Sequence, residues 1–193
     1  MDYIEIKGYK SIKEQKVDFK DINILIGSNG SGKSNFISFF EFLNRLYNRN
    51  LQEYISLRGG EDKILFEGKD VTDRIYFNVE FNGGVNGYSA TLKAGEEKLI
   101  FTDERLIYNR DEGSDISAYS TEARIKTTDN FRAKYVIQYL NGFRKYHFHD
   151  TGAKSPFTLM SHIENDIYFL YEKGENLAAF LYNIQKENPK VYL

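Results

Sequence analysis

Between a short apolar run, Ile22-Asn23-Ile24-Leu25-Ile26, and a stretch rich in phenylalanine, the chain reads Gly27-Ser28-Asn29-Gly30-Ser31-Gly32-Lys33-Ser34. This is a complete G-x-x-x-x-G-K-S motif, and few features restrict a fold as strongly. The apolar run is β-branched and bounded by Asp21 and Gly27, which suits a buried strand. Downstream, Phe36, Phe39, Phe40, Leu43, Leu46 and Tyr47 recur at helical spacing, so a helix is expected from Lys33 to the region of Asn48–Asn50. Glycines between such elements let successive backbone N–H groups curl toward one point, and the helix N-terminus adds partial positive charge. The loop is thus shaped for a polyphosphate. Gly27, Asn29, Gly30, Ser31, Gly32, Lys33 and Ser34 form the expected cradle. The Lys33 ammonium is expected between the β- and γ-phosphates, with the Ser34 hydroxyl as a Mg²⁺ ligand.

The remainder falls into three zones: 1–60 around this loop, 61–130 rich in strands, and 131–193. Tyr3–Lys7 alternates as a half-buried strand, and Val17–Phe19 is expected to pair back on it. Ile75, Phe77, Val79 and Phe81 alternate with polar residues. Asn82–Gly87 supplies turn chemistry, and Tyr88, Ala90 and Leu92 alternate again, which predicts a hairpin. Leu99–Phe101 and Leu106–Tyr108 extend it into a meander, and 110–130 reads as a polar surface excursion. Phe131 to Leu140 predicts a helix ended by Asn141-Gly142. Phe143–Phe148 predicts a strand, and Leu177 to Ile184 a last helix stopped by Pro189.

Composition removes several function classes. With no cysteine there is no disulfide scaffold, thiolate metal site or cysteine nucleophile. Lys and Arg total 26 against 28 Asp and Glu, so no global basic field advertises nucleic acid. No run is long and apolar enough to span a membrane, and Met1–Ile6 lacks a secretion-signal pattern, so a cytoplasmic protein without membrane contact is expected. A guanine-reading Asn-Lys-x-Asp is missing, which disfavours GTP. No arginine cluster resembles the lid of a small-molecule kinase, so that class ranks last.

The loop with Asn35 directly after it, preceded by Gly8–Glu14 (GYKSIKE) and Ile22–Ile26, resembles ATPase heads of the ABC type. More narrowly it is similar to the RecF/SMC/OLD-like group, as are Tyr146–Thr151 with Ser155-Pro156, and Gly174–Leu181. That resemblance implies an α/β P-loop lobe with an antiparallel β subdomain, with ATP and Mg²⁺ as ligands. It adds Lys10, Ser11 and Asn35 to the nucleotide-contacting residues. It also makes His149 and Asp150 the candidates for the γ-phosphate sensor, where the family places a Gln. Heads of this group need a signature loop and an apolar strand ending in Asp-Glu, where the Glu polarises the attacking water. Leu99–Glu104 mimics that strand, but it follows directly on the hairpin and reads better as a meander strand with a solvated acidic end. Ser56–Glu61 mimics a signature and reads better as a polar turn. The expectation is therefore the N-terminal part of a larger head, its C-terminal catalytic part absent. It would act as a homodimer or with a partner carrying the remainder.

On this reading the function is ATP binding and hydrolysis coupled to a DNA-linked process: repair, recombination or phage defence. The alternative is a nucleotide-dependent interaction module without turnover. His147 and His149 are spaced for a metal pair, although strand-end residues facing solvent or the cleft are the plainer reading. Two basic stretches, Lys10–Lys20 and Arg124–Lys145, suit phosphate backbone, although a solvated face is again plainer.

Overall fold

In the computed structural model, described for residues 1–96, 98–110, 112–146, 148 and 167–192, the chain divides into two compact units, 1–143 and 144–193. The first unit is built on one antiparallel sheet. Its strands are β1 (Tyr3–Tyr9), β2 (Ile12–Asp18), β3 (Arg74–Phe81), β4 (Asn86–Ala94), β5 (Leu99–Tyr108) and β6 (Glu112–Ser117), in the order β2-β1-β3-β4-β5-β6.

Alternation decides which face of this sheet is covered. Ile4 and Ile6 of β1, Ile75 to Phe81 at odd numbers on β3, and Tyr88, Ala90 and Leu92 on β4 all lie buried on one face. Helix α1 (Lys33–Tyr47) lays Phe36, Phe39, Phe42, Leu43 and Leu46 against that face, with Phe39 edge-on to Phe77 at 5.8 Å. Each such side chain is worth about 1.5–3 kcal/mol on burial, so this layer is the main source of stability. Helix α3 (Ala133–Asn141) covers the adjacent region, where Tyr139 stacks on Phe81 at 4.6 Å. The other face carries charges in register: Glu5 lies between Lys7 at 3.0 Å and Lys16 at 3.2 Å.

Several expectations need correction. Ile22–Ile26 forms no strand in this fold, and Ile22, Ile24, Leu25 and Ile26 are 82, 78, 44 and 90% exposed. Its hydropathy demands burial, yet all six strands pair without it. The stretch 110–130 is no loose excursion either. It supplies β6, buries Ala123 and Ile125, and sends Glu122 to accept the N–H groups of Leu51 and Gln52, capping helix α2 (Leu51–Leu57). Of the strand expected over Phe143–Phe148, the described residues form none. Of the turn expected over Ser56–Glu61, only Arg58–Gly60 turns, with Gly59 and Gly60 at φ +91° and +92°; Ser56 and Leu57 belong to α2, and Glu61 opens a short 3-10 helix, Glu61–Lys63.

Glu104 does lie in a meander strand, but its acidic end is not solvated. The side chain is completely buried and accepts hydrogen bonds from the Tyr88 hydroxyl at 2.8 Å and the backbone N–H groups of Arg124 and Ile125. Burial pushes this carboxyl above its ordinary range, while those donors pull it down. It ties the 120–125 segment to the sheet.

In the second unit, helix α4 (Leu177–Glu187) begins after Gly174, which has φ +76°. Buried Asn176 precedes it, accepting from the Tyr171 N–H and donating to the Phe169 carbonyl. Pro189 follows α4 and opens one further helical turn, Pro189–Tyr192, consistent with its fixed φ.

Candidate functional site

The glycine-rich segment delivers α1 to the surface with its N-terminus open. Gly30 and Gly32 stand at φ +84° and +89°, a region that costs an L-residue about 1–2 kcal/mol. Gly32 is the residue before α1, and no side chain caps the helix there. The first turn also carries no acidic residue. The first N–H groups of a 15-residue helix therefore point outward without a side-chain partner, as an anion site requires.

Lys33 folds back over this loop. Its ammonium donates to the carbonyls of Gly27 and Ser28, both at 2.7 Å, and to the Ser31 hydroxyl at 3.2 Å. An ammonium held by three neutral oxygens can exchange them for phosphate oxygens, whose negative charge adds ion-pair attraction to the hydrogen bond. A Cβ on Gly27 would approach the Ser31 hydroxyl to 2.7 Å, so a side chain there would require Ser31 to turn aside.

The β1–β2 turn is fastened to the same helix. Asn35 donates to the Ser11 hydroxyl at 2.8 Å, and Lys10, held at φ +48°, donates to the Ser38 hydroxyl at 3.0 Å. Tyr9 lies beneath, its hydroxyl bonded to Ser38 and Tyr54, and burial pushes it well above the ordinary tyrosine range. The turn thus rides on the first two turns of α1. A cleft of about 540 Å³ opens between β2 and the loop, lined by Ser11, Lys13, Gln15, Val17, Leu25, Ile26, Gly27, Lys33 and Phe36 among others. Ser11 borders this cleft and also a neighbouring opening that it lines with Lys10, Asn35, Asp62 and Glu67.

The structure therefore brings Gly27 to Asn35 and Ser11 into one locality. His149 and Asp150 lie outside the described residues, as does His147 of the proposed metal pair. Among the described residues no cluster of three or more His, Asp or Glu side chains suits a metal ion. The Ser34 hydroxyl is exposed in the first turn of α1 and forms no hydrogen bond among the described residues. A lone oxygen beside a phosphate cradle fits Mg²⁺, which takes few protein ligands and completes its shell with phosphate and water. Gln15 is a cleft residue that sequence reasoning missed, and Lys13 entered it only as part of the basic stretch Lys10–Lys20.

A strand-rich lobe presenting a G-x-x-x-x-G-K-S loop at an uncapped helix N-terminus defines a P-loop nucleotide-binding protein. The sequence matches the family described as the AAA ATPase domain over residues 1–192, so the chain belongs to that family. No curated protein matches it. Among the described residues no helix is long and apolar enough to cross a membrane.

Proposed function

We propose that residues 1–193 form the ATP-binding lobe of an ATPase head of the RecF/SMC/OLD-like group. The observation that carries this reading is the α1 N-terminus, with open N–H groups, two glycines at positive φ, and Lys33 resting on exchangeable oxygens. ATP would lay its phosphates on residues 27–34, with the nucleoside in the cleft bounded by β2. Lys33 would leave the loop carbonyls for the β- and γ-phosphates. Asn35 and Ser11 hold the β1–β2 turn against α1, so the cleft wall moves with the loop. Ser34 would hold Mg²⁺, which when bound neutralises charge developing on the phosphate oxygens.

Hydrolysis further requires a carboxylate that polarises water. Among the described residues the nearest motif mimic, Glu104, is fully buried and already engaged by three donors. Exposure of Ile22–Ile26 supports a second component. A run of β-branched residues in front of the loop is the pattern of a strand buried on both faces, and water is a poor neighbour for it. We therefore assign the polarising carboxylate to a further β-bearing segment or second head that covers this run. A DNA-linked role follows from the family resemblance. The buried state of Glu104 also favours, for the isolated chain, the alternative of nucleotide-dependent interaction without turnover.

Calorimetric titration with Mg²⁺ and ATP, with Lys33→Ala as control, tests the binding reading. Heat and a thermal shift that Lys33→Ala removes are expected, and no heat with the folded chain refutes it. Phosphate release at background level is expected for the chain alone. Turnover abolished by both Lys33→Ala and Glu104→Gln would instead make Glu104 catalytic.

A further inference from the structure

Cations on this protein are partnered unevenly. On the sheet face opposite α1, Lys7 and Lys16 pair with Glu5, and Arg110 pairs with Glu80. Arg105 pairs with Asp115 and Arg58 with Glu41. Between Ala123 and Tyr135 stand four cations, Arg124, Lys126, Arg132 and Lys134, and a single carboxylate, Asp129. Among the described residues none of the four forms an ion pair with a carboxylate. Three of them face aromatic rings instead: Lys126 lies 4.0 Å from the Tyr47 ring centre, Arg132 3.7 Å from that of Tyr108, and Lys134 4.9 Å from that of Tyr135.

The backbone beneath is firmly held. Buried Glu104 takes the N–H groups of Arg124 and Ile125, the Ile125 side chain is buried, and Lys126 donates to Asn48 at 2.7 Å. The two carboxylates nearest the start of this stretch are spent inward, Glu104 here and Glu122 on the α2 N-terminus. Fixed positive charge thus stands on an anchored segment, four cations against the one carboxylate of Asp129, with which none of them pairs among the described residues. Beside it Phe131, two residues before α3, is 65% exposed with Arg132 5.5 Å from its ring centre, and Tyr135, in the first turn of α3, is 41% exposed.

We infer that residues 124–135 form a binding surface for single-stranded nucleic acid, with the four cations on phosphates and Phe131 and Tyr135 beneath bases. Cations alone would suit any polyanion. Exposed rings interleaved with them select a partner that carries free aromatic faces as well as phosphates, which an unpaired strand does and a closed duplex does not. The surface uses none of the phosphate-loop residues, so it stands independently of the ATP reading.

Fluorescence anisotropy of the 193-residue chain with an oligothymidylate of about twenty nucleotides, and with a duplex of equal length, tests the inference. Preference for the single strand is expected, with a log–log salt slope near about −3 for four neutralised phosphates. Lys126→Glu combined with Arg132→Glu should weaken binding by about tenfold or more. Phe131→Ala should weaken single-strand binding by about fivefold or more while leaving any duplex binding unchanged. Lys93→Glu, a single charge reversal on the opposite sheet face, should be silent. Lys33→Ala should retain oligonucleotide binding while losing the Mg²⁺–ATP thermal shift, which separates failure of this surface from failure of the nucleotide site. Absence of binding by a chain with an unchanged melting curve overturns the proposal. Equal affinity for duplex with a silent Phe131→Ala also overturns it, as does an equal loss in Lys93→Glu.

Discussion

Glu104→Ala is the substitution whose cost the structure defines most fully. The wild-type carboxylate is completely buried and receives the Tyr88 hydroxyl at 2.8 Å, the Arg124 N–H at 3.0 Å and the Ile125 N–H at 3.1 Å. Alanine leaves all three donors without an acceptor, each worth about 1–3 kcal/mol when stranded away from water. Arg124 is at the surface and its N–H can recover some hydration, and removal of a buried charge returns part of the loss. A destabilisation of about 3–5 kcal/mol is expected, a large share of the roughly 5–15 kcal/mol that holds a domain together. Glu104→Gln preserves volume and one acceptor oxygen but sets an amide NH₂ against backbone N–H groups, so about 1–2 kcal/mol is expected. Urea unfolding measures both, read through the midpoint with the slope checked for constancy. Hydrogen exchange at the Arg124 and Ile125 amides should accelerate in both variants. A loss below about 1 kcal/mol in Glu104→Ala would mean that Glu104 does not anchor the 120–125 segment, and the reasoning fails.

The pH dependence carries a definite sign. Burial raises the folded-state pKa of Glu104 above its unfolded value, so its contribution is present below the unfolded value and is lost as pH rises through the folded one. The stability gap between wild type and Glu104→Gln should therefore be larger near pH 5 than near pH 8, and a gap that shrinks on acidification contradicts the shift. Gly32→Ala and Gly30→Ala should each lose about 1–2 kcal/mol for positive φ. Only the former also places a Cβ 3.1 Å from the Ser11 hydroxyl, so it should reduce the Mg²⁺–ATP thermal shift more, and equal shifts would deny that contact. Ile24→Lys should change stability by no more than about 0.5 kcal/mol while reducing self-association in sedimentation, whereas a loss above about 2 kcal/mol would show Ile24 packed inside the chain. Tyr9→Phe removes a buried hydroxyl shared by Ser38 and Tyr54 and should cost about 0.5–1.5 kcal/mol in urea unfolding.

Local features were legible in the sequence alone. The phosphate loop could be read because its geometry is set within eight residues, by glycine torsions and by the start of α1. The β3–β4 hairpin could be read because a period of two and a glycine-rich turn specify register without distant partners. The aromatic face of α1 followed from spacing in the same way. Tertiary structure decided the rest. Glu104 looks like the end of a catalytic strand or a solvated tip until Arg124 and Ile125, some twenty residues on, close over it. Neither their N–H groups nor the partners of β6 leave any trace in local hydropathy. Ile22–Ile26 is the converse case. Its composition states that burial is needed, but burial is a property of neighbours, and the six strands of this sheet satisfy one another first.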